Sequence, residues 1–519
     1  MNLAQLVRRA ADLSPDMIAT ICLEGTRRTW RETDERIARL AAALQSLGLG
    51  PGDRLALLAV NSAAYLEVMF AAFRADVAIV PMNIRWSVSE NIFCLNDCRA
   101  KMLIVDRHFA GQAVSLSEGA GSVETLIHLD GVPSGAIGLD YEELIASTEP
   151  GVMGDRGGDD LAGIFYTGGT TGFPKGVMLS HANLLASSLS FWLSMPEMPR
   201  HVTYLHVAPM FHLADASQTI GVTLQQGTHM FMPFFDPAEL AETMIAHQVT
   251  DIILVPTMIE QLLNAACSRP ATFGSLRRLI YGGSPISPAT LARLRAIAPH
   301  VDLAQCYGQT EMAPTITVLT PADHRSASDN DNRLSSAGRP AFDVDIRIVD
   351  ADGKRLPVGQ VGLIVARGRN AMLGYWERDE QTRATLTDGW VATGDAGYVD
   401  ADGFLYLVDR YKDMIVSGGE NVYSVEVERA LSLHPAVASV AVIGIPSEQW
   451  GEAVHAMVVT RDDQATSPQE LIAHCKNHIA AYKAPKTVEF LSSLPISPAG
   501  KIQKNLLRDR YWKGDTRIA

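Results

Sequence analysis

A glycine- and threonine-rich segment contains the most distinctive candidate chemistry of the sequence. After an apolar run, five residues supply backbone N–H groups and hydroxyls in close succession: Thr167, Gly168, Gly169, Thr170 and Thr171. Glycines let consecutive N–H groups turn towards one concavity, and Lys175 adds a cation that would attract terminal phosphates. We therefore interpret this segment as a polyphosphate-binding loop rather than a flexible surface loop. It is not a Walker loop, because Phe173 and Pro174 stand where that motif needs lysine and a hydroxyl residue.

Three later segments place polar and ionisable residues in a fixed order along the chain. They are YGQTE at 307–311, the stretch 388–428 that contains TGD and SGGENVY, and PAGKIQ at 498–503. Together with the glycine- and threonine-rich loop, these segments resemble the adenylate-forming (ANL) superfamily, in particular its AMP-forming acyl- and aryl-CoA ligases, the acyl-CoA synthetases. The resemblance covers nearly the whole chain.

The resemblance implies a binding site for ATP and AMP. The residues that match its nucleotide-binding positions are Thr167, Gly168, Gly169, Thr170, Thr171, Lys175, Gly282, Gly283, Ser284, Tyr307, Gly308, Asp395 and Arg410. Tyr307 would stack on the adenine, because a flat ring gives a large contact at low entropic cost. Asp395 would accept hydrogen bonds from both ribose hydroxyls, and Arg410 would lie near the ribose and phosphate. Outside these motifs, the ordinary interpretations would be a core tyrosine, a turn aspartate and a surface ion pair.

The resemblance also implies which residues take part in the reaction: Lys501, Thr310, Glu311 and His212. Lys501 would bind the substrate carboxylate and the α-phosphate, two anions that otherwise repel each other. Thr310 would contact the α-phosphate, and Glu311 would ligate Mg²⁺, because this cation prefers carboxylate and phosphate oxygens. His212 matches a position beside the acyl pocket, and a satisfied structural histidine is the alternative interpretation.

A mobile C-terminal domain is a further implication of the resemblance. Lys412 aligns with the hinge position, within 410–413, about which the small domain of relatives rotates after diphosphate leaves. The residues that would then bind CoA are Ser417, Gly418, Gly419 and Trp450. An ordinary charged linker is also compatible with the hinge segment, and local packing is the alternative role for the tryptophan.

These residues predict an ATP-dependent ligase that converts a carboxylic acid, ATP and CoA into acyl-CoA, AMP and diphosphate through an acyl-AMP intermediate. The apolar stretch 211–221 and the apolar, methionine-containing stretch 229–237 favour a medium- or long-chain fatty acid or an aromatic acid. The walls of its pocket are expected around His212, Asp215, Tyr281 and Met312. An adenylate-forming enzyme with another acceptor, an amine or a carrier protein, is the alternative. A non-catalytic nucleotide-binding protein is disfavoured, because the motif residues are all present.

The elements that must position these residues alternate between helix and strand signals. The sequence predicts an α/β fold with a large N-terminal domain of mixed sheets and helices over 1–409, which includes a β-rich subdomain. A small mobile α/β domain is expected over 414–519. The two VDADG segments, at 349–353 and 399–403, are interpreted as turns, because neither supplies the full ligand set of a calcium loop.

Composition excludes several other classes of protein. The 519-residue chain has 44 Lys and Arg against 58 Asp and Glu, a formal charge of −14, and lacks the cationic block that nucleic acids require. Its six scattered cysteines indicate free thiols and a cytoplasmic location. With no signal-peptide pattern and no apolar run of about 18 residues, no transmembrane segment is predicted, and peripheral membrane contact stays open. A homodimer is compatible with the sequence, although no pattern specifies it.

Overall fold

Helices and strands alternate along the described chain. The computed structural model describes residues 1–168, 174–195, 201–266, 269–327, 332–410, 413–417, 420–447, 449–461, 464, 466–496 and 502–512. The alternation confirms the predicted α/β class. One compact unit comprises Met1–Ile346 and Ala366–Val391, and the other comprises Arg347–Val365 and Ala392–Ala519. The domain boundary at 410–413 stays a prediction.

The helices of the described residues are mostly short and amphipathic or buried. They are α1 (Ala4–Leu13), α2 (Trp30–Ser46), α3 (Ala63–Arg74), α4 (Val88–Cys98), α5 (Ala110–Gly119), α6 (Tyr141–Ser147), α7 (His181–Leu193), α8 (Leu213–Leu224), α9 (Pro237–Ala246), α10 (Pro256–Ala265), α11 (Pro288–Ile297), α12 (Pro321–Ser326), α13 (Asp379–Thr385), α14 (Ser424–Ser432), α15 (Pro468–His478) and α16 (Lys504–Arg508). None of them, within the described ranges, has both the length and the apolar character that a membrane crossing requires.

The strands are likewise short. They are β1 (Ile18–Ile21), β2 (Arg27–Thr29), β3 (Arg54–Leu58), β4 (Ala78–Pro81), β5 (Met102–Val105), β6 (Thr125–His128), β7 (Leu139–Asp140), β8 (Leu161–Thr167), β9 (Lys175–Ser180), β10 (Thr203–His206), β11 (Thr228–Phe231), β12 (Asp251–Leu254), β13 (Arg278–Gly282), β14 (Asp302–Gly308), β15 (Thr315–Leu319), β16 (Arg339–Pro340), β17 (Val344–Val349), β18 (Gly362–Gly368), β19 (Gly374–Tyr375), β20 (Leu386–Thr387), β21 (Trp390–Val399), β22 (Leu405–Arg410), β23 (Ile415–Ser417), β24 (Glu420–Val422), β25 (Val437–Ser447), β26 (Gly451–Thr460) and β27 (Thr487–Phe490).

Two largely parallel sheets organise the first unit. One has the order β16-β15-β14-β13-β12-β10-β11-β1-β2 and is parallel from β14 to β1. The other has the order β19-β9-β8-β4-β3-β5-β6-β7 and is parallel from β8 to β7. In parallel sheets the carboxyl ends of the strands meet at one edge, where ligand-binding residues collect.

Two further sheets are smaller. One has the order β17-β18-β21-β20, with β22 paired to β21. The other, in the second unit, has the order β24-β23-β26-β25, with β27 paired to β26. Helices α14 and α15 supply apolar side chains to the same core as β25 and β26.

Local sequence explains how several of these elements begin and turn. Ser287 precedes the first-turn Pro288 of α11, and its hydroxyl accepts the N–H of Thr290. In the two VDADG segments, the side chains of Asp350 and Asp400 each accept two backbone N–H groups. Both segments are therefore tight turns, as predicted, because an aspartate side chain can organise its own backbone in this way.

A charged group lies deep in the core of the first unit. Helix α3 is buried along most of its length, and the side chain of Glu67 within it is fully buried. The Tyr141 hydroxyl donates to this carboxylate, and Arg36 Nε lies 2.9 Å and 3.1 Å from its two oxygens. Arg36 also binds Glu142 at 2.8 Å and 2.9 Å. Because an unpartnered buried carboxylate would cost several kcal/mol, these contacts fix α2, α3 and α6 together.

We expect the Glu67→Ala variant to lower the free energy of unfolding by about 3–5 kcal/mol, because the change removes the acceptor that Tyr141 and Arg36 share at a buried site. Urea denaturation followed by tryptophan fluorescence measures this loss. The matched control is Glu142→Ala, whose side chain is 55% exposed and whose loss should cost about 1 kcal/mol or less. Equal losses for the two variants would contradict the assignment.

Candidate active site

The glycine- and threonine-rich loop is closed by an antiparallel hairpin. Strand β8 ends at Thr167 and β9 begins at Lys175, and these two residues face each other in the register. Side chains that face each other across an antiparallel pair project on the same side. The base of the loop therefore holds a hydroxyl beside a cation, with Gly168 next to them. Three predicted loop residues lie outside the described residues: Gly169, Thr170 and Thr171.

The carboxyl ends of β13 and β14 hold a second group of predicted residues. The two strands are parallel neighbours, so they end at the same edge of the sheet. Five predicted nucleotide-binding residues end these strands or follow them directly: Gly282, Gly283, Ser284, Tyr307 and Gly308. The structure thus brings together residues from two separate motifs.

Close backbone approach explains why glycine occupies two of these positions. A Cβ atom at Gly282 would come within 2.3 Å of the Cys306 carbonyl oxygen. At Gly308 it would come within 1.7 Å of the Pro314 carbonyl oxygen. Both obstacles are backbone atoms that cannot rotate away, so any side chain would force the strand ends apart.

Thr310 and Glu311 lie in a short 3₁₀ helix that follows β14 and ends at Met312. The buried amide of Asn370 holds this segment, because its Nδ2 donates to the carbonyl oxygens of Met312 and Thr315, both at 2.6 Å. Asn370 belongs to none of the sequence motifs. Its role depends on tertiary contacts more than 50 residues apart, which no local pattern reveals.

Tyr375 connects Glu311 to the base of the loop. Its hydroxyl donates to Glu311 Oε1 at 2.7 Å, and the Lys175 ammonium lies 5.2 Å from the centre of its ring. Tyr375 pairs with Val177 in the β9–β19 register, which sets this position. Burial and then the Glu311 carboxylate raise the pKa of Tyr375 above its ordinary value, so the hydroxyl keeps its proton as a donor. Tyr375, like Asn370, belongs to none of the sequence motifs.

Asp97 stabilises the same hairpin through its side chain and its backbone carbonyl group. Its carboxylate accepts the Tyr166 hydroxyl at 2.7 Å and Arg378 at 2.6 Å, and its carbonyl oxygen accepts the Trp376 indole N–H at 2.9 Å. Tyr166 precedes the loop, whereas Trp376 and Arg378 follow Tyr375. One carboxylate therefore ties both sides of the loop base together, in charge-assisted contacts that are stronger than neutral ones.

His212 lies at the N-cap of α8 and is exposed. Its ring lies beside Phe211, with the ring centres 4.3 Å apart. This position is compatible with the predicted place beside an acid-binding pocket. The residue supplies no side-chain cap to the helix.

Three other expected pocket residues are buried in the core instead. The Asp215 carboxylate is fully buried and bonds Tyr204 and His206. Tyr281 is fully buried, and its hydroxyl hydrogen-bonds His324. Met312 is fully buried among apolar side chains. These three residues were expected to form pocket walls, but they lie in the core. Neighbouring side chains already bond the polar groups of Asp215 and Tyr281.

In the second unit, the predicted ribose and phosphate residues share one strand pair. Asp395 lies opposite Arg410 in the β21–β22 register. The backbone N–H of Asp395 donates to Thr393 Oγ1 at 3.1 Å, and the Thr393 hydroxyl donates to the Ile364 carbonyl oxygen. The strand that presents Asp395 is thus fixed from both sides.

The predicted CoA residues that the structure describes lie close together in the same unit. Ser417 on β23 pairs with Gly451 on β26, which follows Trp450 directly. The Trp450 side chain is 39% exposed, and Lys486 Nζ lies 5.3 Å from the centre of its ring. A half-exposed aromatic ring beside a cation suits a nucleotide phosphate ester. Four further predicted residues lie outside the described residues: Lys412, Gly418, Gly419 and Lys501.

The described residues contain no group of three or more His, Cys, Asp or Glu side chains arranged to hold a metal ion. At this site Glu311 offers a carboxylate that Tyr375 orients. This arrangement fits Mg²⁺, which commonly binds one or two carboxylates together with substrate phosphates.

Two family models match the sequence. The model described as AMP-binding enzyme matches residues 7–376, and the model described as AMP-binding enzyme C-terminal domain matches residues 426–501. The first match includes the loop hairpin, the ends of β13 and β14, and Tyr375. The second includes Trp450.

Individual proteins match over almost the whole chain. A feruloyl-CoA synthase from Amycolatopsis sp is 38% identical over 97% of this chain and 98% of its own length. The medium/long-chain-fatty-acid–CoA ligase FadD8 of Mycobacterium tuberculosis is 35% identical over 95% of this chain and 87% of its own. The solved structure of the amide bond synthetase McbA from Marinactinospora thermotolerans is 30% identical, with a TM-score of 0.86 over 98% of this chain and 99% of that one.

The buried contact between Tyr281 and His324 makes the stability of the fold depend on pH. His324 Nδ1 lies 2.8 Å from the Thr320 carbonyl oxygen and Nε2 lies 2.8 Å from the Tyr281 hydroxyl, so the ring is held neutral. Burial lowers the pKa of His324 from 6.5 to about 4. The unfolded chain therefore binds the proton first as the pH falls, and stability is lost between about pH 6.5 and about pH 4.

We expect His324→Gln to flatten this acid dependence of stability by up to about 3 kcal/mol, since a glutamine binds no proton in either state. Urea denaturation midpoints measured between about pH 7 and about pH 4.5 test the effect. Substitution of His478, an exposed histidine, serves as the control. A His324→Gln profile as steep as that of the wild type would refute the prediction.

Proposed function

Because the chain belongs to the AMP-binding enzymes and, among them, to the acyl-CoA ligases, we propose that it joins a carboxylic acid to CoA through an acyl-AMP intermediate. ATP and CoA are the co-substrates of this family. The observation that best supports the proposal is the cluster of Lys175, Tyr375 and Glu311 at the base of the glycine- and threonine-rich loop. A cation and an oriented carboxylate that share one tyrosine would suit a triphosphate and its counter-ion.

In the first half-reaction, a carboxylate oxygen attacks the α-phosphorus of ATP, the bond to diphosphate breaks, and acyl-AMP forms. The N–H groups of the loop and Lys175 would bind the leaving diphosphate. Tyr307 would stack on adenine, and Thr310 would contact the α-phosphate. These groups lower the barrier by positioning and charge stabilisation, because phosphoryl and nucleotidyl transfers need little covalent help from the protein.

Glu311 would hold Mg²⁺ together with phosphate oxygens of the nucleotide. When bound, the ion supplies neutralisation of the phosphate charge. Tyr375 keeps the Glu311 carboxylate oriented, and Asn370 keeps the backbone beneath it in place. The chain's own residues thus prepare one protein ligand at a fixed position.

Lys501 would bridge the substrate carboxylate and the α-phosphate during adenylation. In the second half-reaction, the CoA thiol sulfur attacks the acyl carbonyl carbon, and the bond to AMP breaks to release AMP. A rotation about Lys412 would exchange the Lys501 segment for the face that contains Ser417, Gly418, Gly419 and Trp450. No strong base is required, because an ordinary thiol is already partly ionised near neutral pH.

We propose a medium- or long-chain fatty acid or an aromatic acid as the substrate, with His212 beside it. Both classes occur among the relatives, as a feruloyl-CoA synthase and a fatty acid ligase. A second candidate is the transfer of the acyl group to an amine, which the similarity to an amide bond synthetase structure favours. A homodimer and a cytoplasmic location stay predictions from the sequence.

The test of the proposed function is acid-dependent exchange of labelled diphosphate into ATP over a panel of fatty, benzoic and cinnamic-type acids. Release of AMP is then measured with CoA, with an amine, and with neither. Exchange with some acid and AMP release that depends on CoA support the ligase. Exchange with AMP release that depends on the amine supports the second candidate, and no exchange with any acid overturns both.

We expect Tyr375→Phe to raise the Mg²⁺ concentration for half-maximal exchange about tenfold, because the variant loses a hydrogen bond to a charged group worth about 1.5 kcal/mol. A magnesium titration of diphosphate exchange measures this change. Tyr398→Phe, which alters a ring stacked on Tyr406, is the control. An unchanged magnesium requirement in the Tyr375 variant would show that the hydroxyl does not orient the metal ligand.

We expect Lys501→Ala to slow diphosphate exchange by about 10²–10³-fold, since the variant removes the cation that stabilises charge in the transition state. The same variant should convert preformed acyl-AMP and CoA to thioester at a rate within about threefold of the wild type. Single-turnover assays of each half-reaction separate the two effects. Equal losses in both half-reactions would contradict the proposed exchange of faces.

A further inference from the structure

A continuous chain of hydrogen bonds runs through the core of the first unit beneath His212. The Asp215 carboxylate lies 2.6 Å from His206 Nδ1, and His206 Nε2 lies 3.0 Å from His229 Nδ1. His229 Nε2 lies 3.1 Å from the Thr223 hydroxyl. All four side chains are buried, with at most 1% of their surface exposed. The proposed reaction uses none of them.

The direction of each bond follows from the single proton of Thr223. Its hydroxyl donates to the Thr219 carbonyl oxygen at 2.8 Å, so its oxygen accepts the His229 Nε2 proton. His229 Nδ1 then accepts from His206 Nε2, which agrees with burial keeping the pKa of His229 well below its ordinary value. The remaining proton lies between His206 and Asp215. The chain is therefore complete, with each group satisfied by the next.

The chain fastens helix α8 to the sheet at both of its ends. Asp215 lies in the first turn of α8 and Thr223 in its last turn. His206 ends β10, and His229 belongs to the neighbouring strand β11. A helix held at one end could pivot on its apolar contacts, whereas a helix held at both ends keeps a fixed position and rotation.

The same contacts bracket the segment that leads to His212. His206 and Asp215 stand on either side of residues 207–212, and their side-chain contact closes that loop. Inside it, the buried Asn61 donates to the carbonyl oxygens of His206 and Ala208 and accepts the Met210 N–H. The backbone before His212 is thus fixed by Asn61 and the backbone after it by Asp215.

We propose that Asp215, His206, His229 and Thr223 are positioning residues that fix α8 and, through it, His212 at the acid-binding site. The inference rests on the proposed function, because it concerns the site of the acid substrate. A buried histidine–aspartate pair is weak evidence for added stability, since apolar residues of the same volume often stabilise a fold as well. Its effect here is on the position of His212 relative to the acid.

The test compares two threonines of the same helix that differ in one contact. Thr223→Val removes the last hydrogen bond of the chain at nearly constant volume. Thr219→Val removes only a bond to its own helix, from the hydroxyl to the Asp215 carbonyl oxygen. We expect Thr223→Val to raise the KM for the acid about three- to tenfold and to leave the KM for ATP within twofold, whereas Thr219→Val changes neither. Asp215→Leu should raise the KM for the acid further.

A double-mutant cycle tests whether Thr223 acts on the KM for the acid through His212. In a His212→Ala background, Thr223→Val should no longer raise the KM for the acid, because the side chain it positions is gone. Additive effects, or equal rises in both KM values, would overturn the inference and leave a purely structural role. If Asp215→Leu does not fold, the two valine variants decide the question alone.

Diphosphate exchange by the wild type with an acid of the panel is established first. If the wild-type protein exchanges no diphosphate into ATP with any acid, the proposed function is overturned. An active wild type whose KM for the acid is unchanged in Thr223→Val overturns only the positioning role.

Discussion

The hydrogen bond between the Tyr375 hydroxyl and the Glu311 carboxylate joins segments that are far apart in the sequence. It forms because β19 pairs with β9, so that an aromatic ring stands beside Lys175 at the base of the loop. The contact of both a carboxylate and a cation with this one tyrosine depends on that pairing. Most other contacts at the site keep these two strands and the 3₁₀ helix with Glu311 in place.

Buried polar side chains make many of these contacts, because each buried donor or acceptor needs a hydrogen-bond partner. Asn370 satisfies two carbonyl groups beneath Glu311, Asp97 satisfies three donors behind the loop, and Asn61 satisfies the backbone before His212. Each bond has a small net energy, but a missing partner would be costly. The backbone near the site is therefore restricted to one arrangement.

The sequence predicted the motifs better than the residues that hold them. The α/β class, the family and the grouping of Gly282 with Tyr307 could be predicted, because short motifs and strand periodicity are local signals. Tyr375 and Asn370 could not, since their roles arise from sheet register and tertiary contact. Asp215 and Tyr281 were expected at a pocket wall but lie in the core, because a sequence does not show which polar groups are satisfied by distant neighbours.

Helix α8 is attached to the sheet by the buried side chains of Asp215 and Thr223, whereas the residue at its N-cap is exposed. The groups that hold it face the sheet, while His212 lies exposed before its first turn. An amino-acid change at that exposed position would leave the anchoring contacts intact. With His212 beside the acid, as proposed, a lineage of such enzymes could acquire new acid preferences by changing this residue on an unmoved scaffold, without a compensating rearrangement of the core.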